Sequence, residues 1–417
     1  MLYNPCQSLK PAERKCIFAT NNKASNIHME GLKFEVYLRI SEIKAKWDYF
    51  LEDRNRFISS AYLSVLESSP PEGMEFAYAM MYRGEELIGL APFQIIKFNA
   101  GKSINFSVPK SGFQKVSQKF KSFFANKVQL KGLVGGNLLL TGDHTSIFRK
   151  GDLEDKEKNA TYLKCVDYVH QFLESKGKKM YATFLKDFET DCWFKPNENS
   201  SKPYHRFFTQ PNMIFYVQKG WNSFEDYLAS LKSKYRVRYK RTSKKGSSLK
   251  RKIFSLEDIE HYEKEMFALF EQVAKNAEFS TFKLHKNYFK ELKIGLRENY
   301  RLEAYFLEDR LVGFTTTIKN GSELEAHYLG YDAKVNGSAM LYLNMLYDMI
   351  KYGIEIGVSQ IVLSRTALEI KSSVGAKPVN MYFYLRHQKT HANKLLPMLL
   401  SYLTPNQDWE PRSPFKD

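Results

Sequence analysis

The spacing of apolar residues follows the same order in both halves of the chain. Residues 75–97 alternate as two strands joined by a turn at residues 83–84, and residues 300–321 repeat the pattern with a turn at residues 308–309. Period-two alternation on both sides of a short turn predicts a β-hairpin. We therefore expect one hairpin in each half.

A helix and then a strand are predicted after each hairpin. Residues 160–184 and 340–364 both place apolar residues at helical spacing, then a glycine, then a strand-like run. The glycines, Gly177 and Gly357, are 180 residues apart. A repeated order of elements predicts two copies of one mixed α/β fold, with a boundary near Pro211. The expected parts are an N-terminal extension (1–30), a first copy (31–210), a second copy (211–390) and a C-terminal helix and tail (391–417).

A strongly cationic segment lies at the start of the second copy. Residues 232–252 contain eleven lysines or arginines. They begin on the far end of a helix that Ser223 is expected to cap and that is expected to bury its other face, and they continue into a Gly-Ser loop suited to mobility. The net charge of +17 also indicates an anionic partner. We expect four of the cations to form an electrostatic dock beside the active-site groove: Lys240, Arg241, Lys244 and Lys245.

Several segments of the second half resemble one branch of a known superfamily. They are the Lys/Arg-rich helix, a hairpin ending in VGF, EAHYLGYDAKVNGSAMLYLNMLYDMIKYG (325–353) and IVLSRTALEIKSSVGAKPV (361–379). These segments are similar to the FemAB-like, peptidoglycan-biosynthesis-related branch of the GNAT superfamily. The resemblance covers roughly residues 215–389. It implies tandem GNAT folds and an enzyme that transfers an acyl group to an amine.

The resemblance implies a donor-binding site after the strand at 325–331. GNAT enzymes hold the donor pyrophosphate with Arg or Gln, two residues, Gly, one residue, then Gly or Ala, and this chain has Lys in the first position. We expect the small residues to open a long helix whose free amides receive the pyrophosphate, although a plain helix cap is an equal alternative. The residues expected to bind the donor are Lys334, Gly337, Ser338 and Ala339.

Two residues of the preceding strand are candidate catalytic groups. Glu325 and His327 are two apart and so are expected on one face, with Tyr328 on the other. Acyl transfer to an amine requires a proton acceptor, which an imidazole or a carboxylate of raised pKa can supply. The alternatives are a half-buried, hydrogen-bonded histidine and a solvated strand carboxylate.

A second loop follows the next predicted strand, where α/β folds place ligands. We expect Arg365, Lys371 and Tyr328 to bind substrate, with an Arg365–Glu369 salt bridge as the alternative for the arginine. The first copy lacks the small-residue helix start and is expected to have lost donor binding. Its residues 135–136 and 141–144 are expected to line an acceptor groove or to form a simple turn.

The resulting prediction is an N-acyltransferase that uses acyl-CoA or acyl carrier protein as co-substrate and acylates a lipid or long-chain amine. The alternatives are a FemAB-like aminoacyl transferase acting on a cell-wall precursor and a nucleic-acid-binding protein. No permanently bound cofactor and no metal are expected, because the four cysteines form no CxxC pair.

The expected location is the cytoplasm or the inner face of the cytoplasmic membrane. The sequence contains no apolar run long enough for a spanning helix and no signal-peptide core. Residues 391–403 are short and apolar, so they are expected to pack on their own domain or to lie on a membrane surface.

Overall fold

A computed structural model describes residues 31–99, 129–151, 153–196, 202–276, 283–401 and 409–416. The predicted N-terminal extension, residues 1–30, lies outside the described residues. The elements of the first half are β1 (Leu32–Tyr37), α1 (Lys44–Leu51), α2 (Ser60–Ser68), β2 (Met74–Arg83), β3 (Glu86–Asn99), β4 (Gln129–Gly135), β5 (Ile147–Phe148), α3 (Asp155–Ser175), β6 (Ala182–Glu189) and β7 (His205–Phe208).

The second half repeats the order of hairpin, strand, helix and strand found in the first half, with further helices and strands added. Its elements are β8 (Asn212–Tyr216), α4 (Phe224–Ser230), α5 (Ser233–Lys245), β9 (Lys250–Ile253), α6 (Leu256–His261), α7 (Glu263–Asn276), α8 (Tyr288–Leu296), β10 (Tyr300–Leu307), β11 (Arg310–Asn320), β12 (Glu323–Tyr331), α9 (Ala333–Ala339), α10 (Leu341–Glu355), β13 (Gln360–Val362), α11 (Leu368–Ser373), β14 (Lys377–Val379), β15 (Met381–His387) and α12 (Thr390–Ser401).

The strands form two mixed sheets. The first has the order β1-β2-β3-β4-β6-β15-β7, with β5 on β3, and the second has the order β14-β8-β13-β12-β11-β10-β9. Each sheet contains an antiparallel hairpin and one parallel pair, β4 with β6 and β12 with β13. The mixed α/β class and the tandem arrangement predicted from the repeat are therefore confirmed.

The second half supplies one strand to the sheet of the first. Strand β15 inserts between β6 and β7 of the first sheet, whereas the second sheet contains strands of the second half alone. The expected boundary at residues 210–211 lies between β7 and β8. Strand β15, which falls in the predicted range 211–390, therefore completes the first sheet.

The local signals at the turns and helix ends form as their residues predict. Glu308 and Asp309 both have positive φ, 50° and 61°, as a two-residue hairpin turn of type I′ requires. Gly177 and Gly357 have φ of 73° and 67° just after α3 and α10, which is the conformation that favours glycine at a helix end. Ser223 forms a capping box at α4.

The two halves share a hydrophobic core. One cluster joins α2 of the first half to α8 and the β10–β11 hairpin of the second. Helices α2 and α8 approach so closely that a Cβ built on Gly295 would lie 2.5 Å from Cγ2 of Val65. The halves are thus packed against each other as one body.

One predicted local feature of the cationic segment is wrong. The helix expected from Ser223 onward is broken, because Leu231 and Lys232 are extended and separate α4 from α5. The expected loop after Gly246 is short, because residues 246–248 form a turn and Lys250–Ile253 form strand β9, which pairs with β10 at the edge of the second sheet. Backbone pairing that depends on distant strands cannot be inferred from a local charge run.

Candidate active site

The parallel strand pairs stop pairing where the two halves meet. Strands β12 and β13 pair as far as Glu325 and Val362, and β4 and β6 pair as far as Gly135 and Leu185. Beyond the ends of these pairs, Arg365 of the second half contacts Asp187 of the first half.

A buried ion cluster joins the ends of these strands. Arg365 forms a salt bridge with Asp187, which is fully buried, and Asp187 also pairs with Lys186. The guanidinium of Arg365 further donates to the carbonyl of Gln210 (3.0 Å) and to Oγ1 of Thr141 (3.2 Å). Arg365 therefore binds the first half of its own chain.

The alternative salt bridge considered for Arg365 does not form. Glu369 pairs with Arg412 instead, at 3.1 Å. A substrate contact by Arg365 remains a prediction, and it would have to coexist with the Asp187 contact. Lys186 and Asp187 were missed at the sequence level, because nothing local distinguishes them from other strand residues.

The loop after β13 is held in an unusual backbone conformation. Ser364, Thr366 and Ala367 have positive φ of 59°, 69° and 48°, which is uncommon for residues other than glycine and is found at functional sites. The Nζ of Lys371 donates to the carbonyls of Ser364 (3.3 Å) and Arg365 (2.6 Å). Lys371, expected to bind substrate, thus holds this loop in place.

Glu325 lies beside this loop and is buried, so the alternative of a solvated carboxylate is wrong. Its Oε1 accepts a hydrogen bond from Oγ of Ser364 at 3.2 Å. Burial raises the pKa of Glu325 well above its usual range. Burial also lowers the pKa of Lys371 to about 7, although the nearby Glu325 acts in the opposite direction. Burial therefore favours the uncharged form of both groups.

A β-bulge in the pairing of β11 with β12 changes the directions in which the side chains of His327 and Tyr328 point. Thr316 of β11 faces both His327 and Tyr328, and its Oγ1 bonds to the backbone N–H and carbonyl of Tyr328 at 2.8 Å each. Both rings consequently contact Tyr288 of α8, at centroid distances of 5.7 and 6.1 Å. The expectation that Tyr328 points away from His327 is wrong, because a bulge interrupts strict alternation.

His327 is a neutral, hydrogen-bonded ring. Its Nε2 lies 2.9 Å from the hydroxyl of Tyr288, and its Nδ1 is shielded from solvent without a partner among the described residues. Burial lowers the pKa of His327 to about 3. This environment favours Glu325 over His327 as the proton acceptor.

The expected donor motif does not open the long helix. Residues 333–339 form the short helix α9, Met340 adopts a left-handed conformation, and α10 begins at Leu341. Gly337, Ser338 and Ala339 are thus in the last turn of α9 and do not start α10. Donor binding by Lys334, Gly337, Ser338 and Ala339 remains a prediction.

Side-chain groups already cap both helix starts near this motif. Asp332 accepts from the N–H of Lys334 at 2.9 Å, and Asn336 accepts from the N–H of Tyr342 at 2.8 Å. A Cβ built on Gly337 meets nothing within 4 Å. The space beside Gly337 is therefore open, while the first amides of α10 are partly satisfied.

The predicted electrostatic dock lies on the exposed side of α5. Its four cations are exposed and have no ion pair with a described residue: Lys240, Arg241, Lys244 and Lys245. The last three cations of the segment are neutralised, since Lys250, Arg251 and Lys252 pair with carboxylates at 2.6 to 3.0 Å. Tyr235 is buried, so it cannot stack on a nucleic-acid base.

Residues 141–144 of the first half are mostly enclosed. The ring of His144 contacts Asn55 at 3.2 Å and Phe57 at a centroid distance of 4.9 Å. Burial raises the pKa of Asp143 to about 6 and lowers that of His144 to about 4. A role for this segment in acceptor binding remains a prediction.

The described part of the chain holds no group of three or more residues arranged as metal ligands. None of its helices combines the length and hydrophobicity that a bilayer span requires.

Comparison with known proteins gives similarities in fold alone. No family model and no curated protein matches the chain. The chain is similar to FemX at 12% identity and a TM-score of 0.48, over 82% of this chain and 95% of that one. The chain is also similar to a tandem GNAT protein from the clavulanic acid biosynthesis pathway at 10% identity and a TM-score of 0.47, over 85% of this chain and 98% of that one. Similarity to L-PGS from Bacillus licheniformis covers 82% of this chain and 96% of that one, at 14% identity and a TM-score of 0.41.

Proposed function

We propose that the protein is an N-acyltransferase that moves an acyl group from coenzyme A to an amine. The observation that supports this most is the buried group of Glu325, Ser364 and Lys371, located where β12 and β13 separate. Burial raises the pKa of Glu325, and a carboxylate of raised pKa is a stronger proton acceptor in its ionised form.

The reaction requires one proton acceptor. The amine nitrogen attacks the acyl carbonyl carbon, a C–N bond forms, and the C–S bond to the carrier thiol breaks. In this proposal the ionised form of Glu325 accepts the proton that the nitrogen loses, and the same proton then passes from Glu325 to the departing thiolate. Lys371 keeps the loop at Ser364 in position.

We further propose a lipid or long-chain amine at a membrane surface as the acceptor. The four unpaired cations of α5 would meet anionic headgroups, each worth about 1 kcal/mol near such a surface. Helix α12 adds exposed apolar side chains, since Leu395 and Met398 are about half exposed. Acyl carrier protein is a further candidate for the dock, because its surface would be attracted by the same charges.

The alternative is a FemAB-like aminoacyl transferase, whose donor would be an aminoacyl-tRNA. The cationic α5 suits that donor as well. The two proposals differ in the bond that breaks, which is a thioester in one and an ester in the other.

The donor molecule that the protein accepts distinguishes the N-acyltransferase from the aminoacyl transferase. The purified protein would be incubated with acyl-CoA of several chain lengths and with amine lipids, while free thiol is measured and products are identified by mass. We expect thiol release that depends on the amine, with a matching amide product. Amide formation from aminoacyl-tRNA but not from acyl-CoA would favour the alternative, and no amide from either donor would contradict both.

The donor motif is tested by Gly337→Val. Open space around Gly337 means that the fold should tolerate the larger side chain, while a donor phosphate nearby would be obstructed. We expect weaker acyl-CoA binding by calorimetry at an unchanged melting temperature. Unchanged affinity would remove the donor role from this segment.

The dock is tested by changing Lys240, Arg241, Lys244 and Lys245 together to Gln. We expect this variant to sediment less with anionic liposomes and to keep its turnover of a soluble short-chain amine. Added salt should reduce the sedimentation of the parent protein with liposomes in the same way. A matched control changes Lys250 and Lys252, which are ion-paired, to Gln. Loss of tight RNA binding with liposome binding intact would favour a nucleic-acid partner.

A further inference from the structure

Residues 412–416 form a short segment that binds to the second half, and we call it the clamp segment. It runs antiparallel to the extended residues between α4 and α5, where Leu231 and Phe415 form an isolated bridge. The N–H of Lys232 donates to the carbonyl of Pro414 at 2.7 Å, and an N–H of the clamp segment donates to the last carbonyl of α4 at 2.9 Å. The break between the two helices therefore supplies backbone groups that hold this segment.

The ring of Phe415 packs among other aromatic rings and against the turn that ends α11. It contacts Trp221 and Tyr227 at centroid distances of 5.6 and 6.2 Å. It also lies on the backbone of Gly375, where a Cβ would be 2.3 Å from the ring. Gly375 has a φ of 111°, so both the backbone conformation and the position of the ring require glycine here.

The clamp segment also bonds to α11 itself. The N–H of Arg412 donates to Oγ of Ser372 at 3.1 Å, and Ser372 is buried. The guanidinium of Arg412 pairs with Glu369 at 3.1 Å, with both side chains about half exposed. The clamp segment thus holds α11 at two points, one on the helix and one in the turn after it.

Helix α11 and the loop before it depend on such external contacts. The helix contains six residues, and a helix this short is not stable alone in water. In the loop, Ser364, Thr366 and Ala367 have positive φ, and each such residue costs about 1–3 kcal/mol. These conformations persist only where neighbouring contacts enforce them.

The contacts continue from α11 to the candidate proton acceptor. Lys371 of α11 donates to the carbonyls of Ser364 and Arg365, and the hydroxyl of Ser364 donates to Glu325. We propose that the clamp segment positions Glu325 for proton transfer, acting through α11 and the loop beside this carboxyl group. The inference rests on the proposed N-acyltransferase activity.

Loss of the clamp contacts should expose Glu325 to water. Phe415 and Ser372 are positioning residues, because they act on Glu325 through α11 and its loop. When α11 is released, the loop can leave the carboxyl group. Burial is the largest cause of the raised pKa of Glu325, so exposure should lower this pKa and make the carboxylate a weaker proton acceptor.

Amide hydrogen exchange tests the clamp segment without the reaction. In Phe415→Ala we expect exchange about tenfold faster at residues 374–376, whose N–H groups bond to carbonyls of α11, and unchanged exchange in β11. The control Phe172→Ala removes a partly buried ring of α3 and should leave residues 374–376 unchanged. Acceleration that is no greater at residues 374–376 than in β11 would overturn the proposal.

The effect on Glu325 is measured by the pH dependence of kcat/KM for acetyl-CoA and one soluble amine, the same amine for every variant. In Phe415→Ala we expect kcat/KM to rise at lower pH than in the parent and to reach a plateau about tenfold lower. Ser372→Ala, which removes only the hydroxyl that accepts from Arg412, should give a smaller shift in the same direction. This second variant decides the question where Phe415→Ala does not fold.

The two possible failures are distinguishable. An active parent whose profile keeps its position on the pH axis in both variants, with or without a lower plateau, would show that the clamp segment has only a structural role and would overturn the proposal. A parent that forms no amide would instead contradict the proposed function, on which this inference rests.

Discussion

At the scale of single residues, burial sets the protonation of the groups at the boundary. Burial raises the pKa of Glu325 and lowers the pKa of Lys371 and of His327. In each case the uncharged form of the side chain is favoured. The sequence identified these three as candidates by type and spacing. It could not assign their roles, because the shifts arise from packing against residues far along the chain.

His144 provides a test of these burial effects. Its folded pKa of about 4 lies below the ordinary 6.5, so between these values the unfolded state binds a proton that the folded state does not. Its contribution to stability is therefore complete above pH 6.5 and is lost as pH falls toward 4. The contribution is on the order of 2–3 kcal/mol.

Unfolding free energies measured by urea between pH 4 and 8 check this. His144→Gln should make the unfolding free energy less dependent on pH between pH 4 and 6.5. His391→Gln, at an exposed position, should leave this pH dependence unchanged. Parallel curves for the parent and His144→Gln would show that this ring does not contribute.

At the scale of elements, the sequence predicted what local rules determine. Both hairpins, the Ser223 cap and the glycine helix ends depend on a few adjacent residues, and all formed. The break at Leu231, the bulge opposite Thr316 and the left-handed Met340 did not follow from the sequence. Each depends on how one element packs against another, which periodicity alone does not contain.

Helix α7 packs on β12 at Gly330, and this contact can be tested. A Cβ built there would lie 2.6 Å from the backbone nitrogen of Phe270 and 2.7 Å from the carbonyl carbon of Leu269. Because backbone cannot yield easily, Gly330→Ala should cost about 1–3 kcal/mol. Gly337→Ala, in open space within α9, should instead gain about 0.5–1 kcal/mol. Urea midpoints measure both, and equal midpoints would contradict the packing described.

At the scale of the whole molecule, the insertion of β15 into the first sheet, a shared core and the Arg365–Asp187 pair join the two halves. The repeat in the sequence predicted two copies but not the insertion of β15, because a strand's partner in a distant sheet leaves no local pattern. We therefore expect both halves to unfold in a single cooperative transition.

Arg365→Met should strongly destabilise the contact between the two halves. It leaves Asp187 buried with one cationic partner fewer, and breaking a buried pair costs about 3–5 kcal/mol. The control Arg412→Met breaks an exposed pair with Glu369 and should have little effect on stability. Calorimetric unfolding would show both values. A small loss for Arg365→Met would mean that the buried pair does not hold the halves together.

The central claim is that acyl transfer takes place at Glu325, where β12 and β13 separate. The most direct measurement compares kcat for a soluble amine and acetyl-CoA in Glu325→Gln and in Glu323→Gln, a carboxylate two residues earlier on the same strand. We predict a loss of about 10²–10⁴-fold for Glu325→Gln, near-parental activity for Glu323→Gln, and unchanged melting temperatures. Full activity in Glu325→Gln would contradict the account.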